Sequence, residues 1–158
     1  MIFVTVGTQL GFPRLIQMVD ELAEQLGLGV VAQIGNTTYV PQNVEYHPSM
    51  TPEVYDACFE KADLIIGHAG IGTILAAKKM KKPLIILPRL AIMGEHRNDH
   101  QLATADAVNG VVGVYRVSDK EQMLLLLKRR TELLPAGENA SVSRDMLIDS
   151  LRAFFVAC

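Results

Sequence analysis

Short, wholly apolar runs alternate along this chain with longer stretches whose apolar residues recur every three or four positions. "IFVTV" (2–6) is apolar and β-branched, the pattern of a strand buried on both faces. Leu15, Ile16, Val19, Leu22, Ala23 and Leu26 then keep helical spacing until Gly27 ends the helix. "LGVVAQI" (28–34) and "VEY" (44–46) read as the second and third strands. Thr51 as N-cap, with Pro52 at the first helical position, opens a helix over "PEVYDACFEKA". "DLIIGH" (63–68) is a strand, about Gly70 to Met80 a helix, and "PLIIL" (83–87) a strand. About Arg97 to Val108 is helical, "VVGVY" (111–115) is the last strand, and a helix covers Ser118 to about Arg130. "PAGEN" is a linker. Met146, Leu147, Leu151, Phe154 and Phe155 predict a final helix over about 141–156, packed on its own sheet or docked on a partner.

Apolar strands separated by helices predict the α/β class, with a doubly wound, Rossmann-like parallel sheet covered on both faces. The 158 residues, 49% of them hydrophobic, suit one domain over 1–158. In such folds ligands sit at the C-terminal ends of the strands. That directs attention to the loops after "IFVTV", "DLIIGH" and "PLIIL".

Charge and cysteine content narrow the function classes. A net charge of −2 carries no basic excess for nucleic acid. Lys78, Lys79, Lys81 and Lys82 read as a solvated helix end that suits the C-terminal dipole, in preference to a phosphate or membrane patch. Two cysteines, Cys58 and Cys158, point to a reducing compartment, with Cys58 in the core. No signal peptide is visible, and no apolar run approaches the roughly 20 residues that span a bilayer. The expectation is a cytoplasmic protein, held at any membrane only by something else.

The chemistry gathers in "GHAGIGT" (67–73). A glycine turn that opens a helix leaves N–H groups aimed at one spot, where the helix dipole favours an anion such as phosphate. Gly67, four residues, Gly72 and Thr73 approach a P-loop but lack its lysine. The order G-x-x-G-x-G, late in the chain, is not the dinucleotide fingerprint. Glycines serving only tight packing are the alternative; His68, a polar group at a strand end, weighs against it. The loop "PRLAIMGEHRNDHQLATA" offers Glu95, His96, Arg97, Asn98, Asp99, His100 and Gln101 for sugar hydroxyls, with Arg89 or Arg97 near phosphate. A solvated helix start is the plainer reading of that polarity. His96 and His100, four apart, could chelate a metal, but "HRNDH" lacks the Glu of a H-E-x-x-H site, no cysteine or third histidine stands near, and no metal is expected. Gly7 and Thr8 supply further donors if the first and fourth strands are neighbours, and His47 reads as a surface residue.

"GHAGIGTILAAKKMKKPLIILPR" followed by "GEHRNDHQLATA" resembles the donor-binding half of a GT-B glycosyltransferase, the family 28 C-terminal domain of the MurG type. More narrowly, the chain resembles catalytic subunits of split glycosyltransferases. These include PssE-type exopolysaccharide transferases and the eukaryotic UDP-N-acetylglucosamine transferase of N-glycan assembly. The resemblance covers roughly residues 1 to 130. It implies that Gly70, Gly72 and Thr73 hold the diphosphate of a UDP-sugar, with Gly7 and Thr8 facing the same phosphates. It implies uracil at the backbone of Ser49 and Met50, and sugar at Asn98, His100 and Gln101. His68 and His100 are candidate bases, more readily pictured as orienting phosphate or sugar. Two departures stand out. Ala76 replaces an acid that many relatives use on the ribose, and "GTQLGFPRLI" lacks the Thr and the Phe-Asp pair some relatives show.

No D-x-D motif for a metal occurs, so helix-terminal N–H groups and a basic side chain would stabilise the leaving diphosphate. One Rossmann-like unit is half of a GT-B enzyme. The resemblance therefore implies a membrane-anchored partner of the PssD type that brings a lipid-linked saccharide, at the inner face of the membrane. The alternatives are a nucleotide-sugar-binding regulatory module without catalysis and an epimerase or hydrolase on a related fold.

Overall fold

The computed structural model describes residues 1–137. The helix expected over about 141–156 lies outside the described residues. The elements run β1 (Ile2–Thr5), α1 (Pro13–Leu26), β2 (Val30–Gln33), β3 (Glu45–His47), α2 (Pro52–Lys61), β4 (Leu64–His68), α3 (Ile71–Met80), β5 (Leu84–Leu87), α4 (His100–Ala107), β6 (Val114–Arg116) and α5 (Lys120–Lys128). Short 3-10 turns occupy Ala91–Met93 and Arg130–Glu132.

The six strands pair in parallel in the order β3-β2-β1-β4-β5-β6. This is the Rossmann order, and it reverses direction between β1 and β4. Alternation along each strand sorts side chains to the two faces. Val4, Ile66, Ile85 and Leu87 meet Leu15, Ile16 and Leu22 of α1 and Met123 and Leu127 of α5. Phe3, Ile65, Leu84 and Ile86 meet Phe59 of α2, Ile74 and Ala77 of α3 and Ala105 of α4. Each fully buried Ile or Leu contributes roughly 1.5–3 kcal/mol of transfer free energy. Because α1 and α3 leave on opposite faces, the loops that precede them diverge, and a crevice opens above β1 and β4.

Local signals explain most boundaries. Pro13 starts α1, and Gly27 ends it in the left-handed region at φ 61°. Thr51 caps α2 by accepting from the Val54 N–H, and Asp119 caps α5 by accepting from Gln122. Asp20, a buried acid on the apolar side of α1, accepts from the Tyr39 hydroxyl at 2.7 Å and the Asn43 N–H at 2.7 Å. It thereby anchors the long β2–β3 connection, and its burial is compensated.

Four expectations shift. The α4 helix begins at His100, not near Arg97, because residues 90–99 close into turns of their own. β6 begins at Val114, because Gly110 and Gly113 hold φ of 87° and 78° and keep "VVG" out of the ladder. The last described helix, α5, ends at Lys128, and a 3-10 turn follows it. Cys58 is half-buried against the second core cluster rather than inside it.

Candidate functional site

The crevice is walled by the β1–α1 and β4–α3 loops. His68 ends β4, and its imidazole packs against both. A β-carbon on Gly7 would lie 3.0 Å from Cε1 and Nε2, and one on Gly70 would fall inside contact with Nε2. Gly7 also holds φ 81°, which only glycine adopts readily. Two of the glycines therefore make room for the histidine. Nδ1 of His68 is buried without a hydrogen-bond partner of good geometry. Burial, then the positive charge of Arg89, push its pKa down to about 4, with the Thr5 backbone acting weakly the other way. His68 is thus neutral at pH 7, a weak base, and suited to hydrogen bonding.

The third glycine is different. Gly72 sits in the first turn of α3, and a β-carbon there would meet nothing within 4 Å. The N-cap, Gly70, offers no side-chain acceptor, so the first N–H groups of α3 get none from their own cap. With the helix dipole they form an anion-favouring spot beside the neutral imidazole. Thr73 is buried, with its methyl toward Gly67.

Beneath the crevice lies a polar network. Thr5 donates to Gln33 Oε1 at 2.7 Å, Gln33 Nε2 donates to the Gly7 carbonyl at 3.2 Å, and the Gly7 N–H donates to Thr5 Oγ1 at 3.3 Å. The Tyr55 hydroxyl is held above its ordinary pKa by burial, against opposing hydrogen bonds with Thr5 and Thr73. Thr5 and Gln33 are register partners at the C-terminal ends of two otherwise apolar strands. That placement was the available sequence signal for this network, and the sequence reading missed it.

Arg89 departs from its expected place at phosphate. It is 2% exposed, and its guanidinium donates to the carbonyls of Gly11 (2.5 Å), Val6 (2.6 Å) and Leu10 (2.9 Å). It also lies 4.6 Å from the Phe12 ring centroid. Burial lowers its pKa to about 10, opposed by the charge of Glu95, so it remains a cation. The head that was expected to meet a ligand instead ties β5 to the β1–α1 loop. Arg14, also missed, donates to Glu95 through Nε at 2.6 Å.

The remaining predicted residues divide. Gly7, His68 and Gly70 come together around one ring. Gln101 accepts from the Arg89 N–H at 3.1 Å, and Asn98 Oδ1 accepts from the His100 N–H at 3.1 Å. His96 precedes α4, so it does not share a helical face with His100. Among the described residues no group of three or more His, Cys, Asp and Glu could hold a metal ion. Thr8 and Ser49 are exposed, while Met50 packs against the second core cluster, leaving backbone as its free recognition element. Ala76 is half-buried against the same cluster. No described helix is long and apolar enough to cross a membrane.

Comparison with known proteins agrees with this architecture. Residues 1–142 match the glycosyltransferase family 28 C-terminal domain. The chain is 39% identical over 116 residues to the human UDP-N-acetylglucosamine transferase subunit ALG13, covering 66% of this chain and 10% of that protein. Against the mouse protein of the same name the identity is 36% over 107 residues, covering 60% and 9%. This chain thus spans about a tenth of the length of these relatives. In fold it is similar to the solution structure of ALG13 (TM-score 0.61, 22% identity, 95% of this chain and 93% of that one). It is also similar to MurG of Acinetobacter baumannii (TM-score 0.59, 18% identity, 95% and 44%). The sheet order, the crevice and the match over residues 1–142 converge: the chain belongs to the glycosyltransferase family 28 C-terminal domain family.

Proposed function

We propose that this chain is the donor-binding, catalytic subunit of a two-component inverting glycosyltransferase. It takes a UDP-sugar, with N-acetylglucosamine the first candidate because the human and mouse relatives are named for that sugar. The acceptor is a lipid-linked saccharide presented by a membrane-anchored partner at the cytoplasmic face, in the manner of bacterial exopolysaccharide synthesis. The observation that carries this reading is the uncapped N-terminus of α3, open at Gly72, beside the His68 imidazole, whose Nε2 edge faces Gly70 and Gly7.

In this reading the diphosphate sits on the N–H groups of Gly72 and Thr73, and uracil meets the backbone at Ser49 and Met50. Asn98, His100 and Gln101 take the sugar. The α3 dipole stabilises charge on the departing UDP without a metal, and the buried Arg89 cation, tied to the carbonyls of Gly11, Val6 and Leu10, adds a positive charge that is felt at His68. With its pKa near 4, His68 orients phosphate through a hydrogen bond rather than taking the acceptor proton. The general base comes with the partner.

Calorimetric titration with UDP, UDP-glucose, UDP-N-acetylglucosamine and ADP, in the presence of a chelator, tests this directly. UDP compounds are expected to bind and ADP is not. A folded Gly72→Asp variant is expected to lose UDP. Equal UDP affinity in that variant would sink the placement of the diphosphate. Turnover with the co-expressed partner separates catalysis from the rival role of a nucleotide-sugar-binding regulatory module, which the replacement of an acid by Ala76 favours.

A further inference from the structure

Glu95, one of the side chains the sequence offers for sugar hydroxyls, has both carboxylate oxygens engaged within the protein. Its side chain is 9% exposed. Oε1 accepts from Arg14 Nε at 2.6 Å, and Oε2 accepts from the terminal nitrogen of Arg14 at 2.9 Å and from the Leu90 N–H at 2.9 Å. The same Arg14 nitrogen also donates to the Pro88 carbonyl at 2.9 Å. One carboxylate thus closes the 90–95 turn and fastens it to α1. A largely buried ion pair adds little net stability, because desolvation offsets its attraction; what it fixes is geometry.

That geometry is passed on to residues 98–101. Leu90 follows Arg89, whose N–H donates to Gln101 Oε1. An N–H can pair only with the oxygen of the amide, so the orientation of Gln101 is set and its two N–H donors face away from Arg89. The Ala91 N–H donates to Asp99 Oδ1 at 2.9 Å, and Asn98 in turn accepts from His100. Residues 98–101 therefore hang from the 88–95 turn, and that turn hangs from Arg14 through Glu95. The hydrogen bonds of Glu95 and Arg14 do not reach α3, where the diphosphate is placed.

We infer that Glu95, paired with Arg14, is a positioning residue for the sugar end of the donor, setting residues 98–101 and so the preference for UDP-sugar over UDP. This rests on the donor-site reading above. The pair lines an open pocket of about 540 Å³ between the start of α1 and the β5–α4 connection, together with Leu10, Gly11, Met93 and His96. Truncating Glu95 extends that pocket rather than leaving a sealed cavity, but it strips the Arg14 guanidinium and the Leu90 N–H of their acceptor, so Glu95→Ala should lose stability and the fold of every variant is checked by thermal melting.

The test is calorimetry with UDP and with UDP-N-acetylglucosamine on wild type, Glu95→Ala, Glu95→Gln, Arg14→Met and the Arg14→Met/Glu95→Ala double variant. UDP affinity is expected to stay within about twofold throughout, while the preference for the sugar nucleotide falls at least about fivefold in Glu95→Ala. Glu95→Gln keeps an acceptor for Leu90 and is expected to retain part of the preference. The double variant is expected to be no worse than the worse single variant, since the two residues act as one unit. A wild-type preference that survives Glu95→Ala, or UDP weakened by the same factor as the sugar nucleotide, overturns the inference. Should Glu95→Ala not fold, Glu95→Gln carries the same comparison. No UDP binding by wild type overturns the donor-site reading and this inference with it. UDP binding without any wild-type preference overturns this inference alone.

Discussion

Replacing Gly72 by Ala should raise stability and lower ligand affinity at once. Gly72 is not among the positive-φ residues, and a β-carbon there touches nothing within 4 Å. Neither turn geometry nor packing calls for glycine. In the first turn of α3, alanine is favoured over glycine by about 0.5–1 kcal/mol, because glycine loses more backbone entropy on folding. For a chain of this size that is about 2 °C in Tm. The same β-carbon would stand in the open space before the α3 N–H groups. A phosphate oxygen drawn to hydrogen-bond distance of those groups, about 2.9 Å, would be crowded by the new methyl group. One extra carbon in a close-packed contact costs about 1–3 kcal/mol, or about 5- to 150-fold in Kd. Thermal melting and UDP calorimetry on the same preparations read both quantities. A raised Tm with unchanged UDP affinity would refute the claim that a ligand needs the open face. A lowered Tm would refute the claim that the fold does not need the glycine.

Gly70→Ala should behave in the opposite way to Gly72→Ala in stability. Its φ of −81° and ψ of 136° suit any residue, so the cost is steric: the new carbon overlaps His68 Nε2 and lies 2.8 Å from Cδ2 and Cε1. About 1–3 kcal/mol should be lost in chemical denaturation, and adding His68→Ala should make the Gly70→Ala change much cheaper; additive losses would show that the ring is not the obstacle. The His68 pKa gives a pH signature. The folded value is about 4 against 6.5 for the free side chain, so between those pH values the unfolded chain binds a proton that the folded chain does not. The stabilisation is complete above about pH 6.5 and is lost as pH falls toward 4, about 3 kcal/mol in all. Denaturant melts from pH 7 to 4 should therefore be flatter in His68→Asn by about that amount; parallel wild-type and variant profiles would contradict a buried neutral histidine.

The fold was largely legible because its signals are local. Apolar runs such as "DLIIGH" cannot face water on either side, and the helical spacing of Leu15, Ile16, Val19 and Leu22 defines one buried stripe on α1. Boundaries slipped where local turns compete with the pattern. Gly113 adopts a left-handed conformation that apolarity does not reveal, and residues 90–99 close on themselves before α4 begins. The candidate site was legible in part. "GHAGIGT" pointed to the crevice, but its three glycines look alike in sequence and do different work: Gly67 lies against Thr73 and Thr5, Gly70 accommodates His68, and Gly72 faces open space.

The sequence by itself determined the α/β class, the positions of the strands that form the sheet and the loops at its ligand-binding edge. These follow from periodicity, glycine and capping chemistry, which act over a few residues. Only the tertiary structure decided where the charges go. Arg89 stands 78 residues from Gly11 in sequence, yet donates to its carbonyl, and Arg14 stands 81 residues from Glu95. Whether an arginine meets a ligand or a buried carbonyl depends on which loops the sheet order β3-β2-β1-β4-β5-β6 brings side by side. A buried guanidinium must bond to whatever acceptors surround it, and those acceptors come from distant parts of the chain.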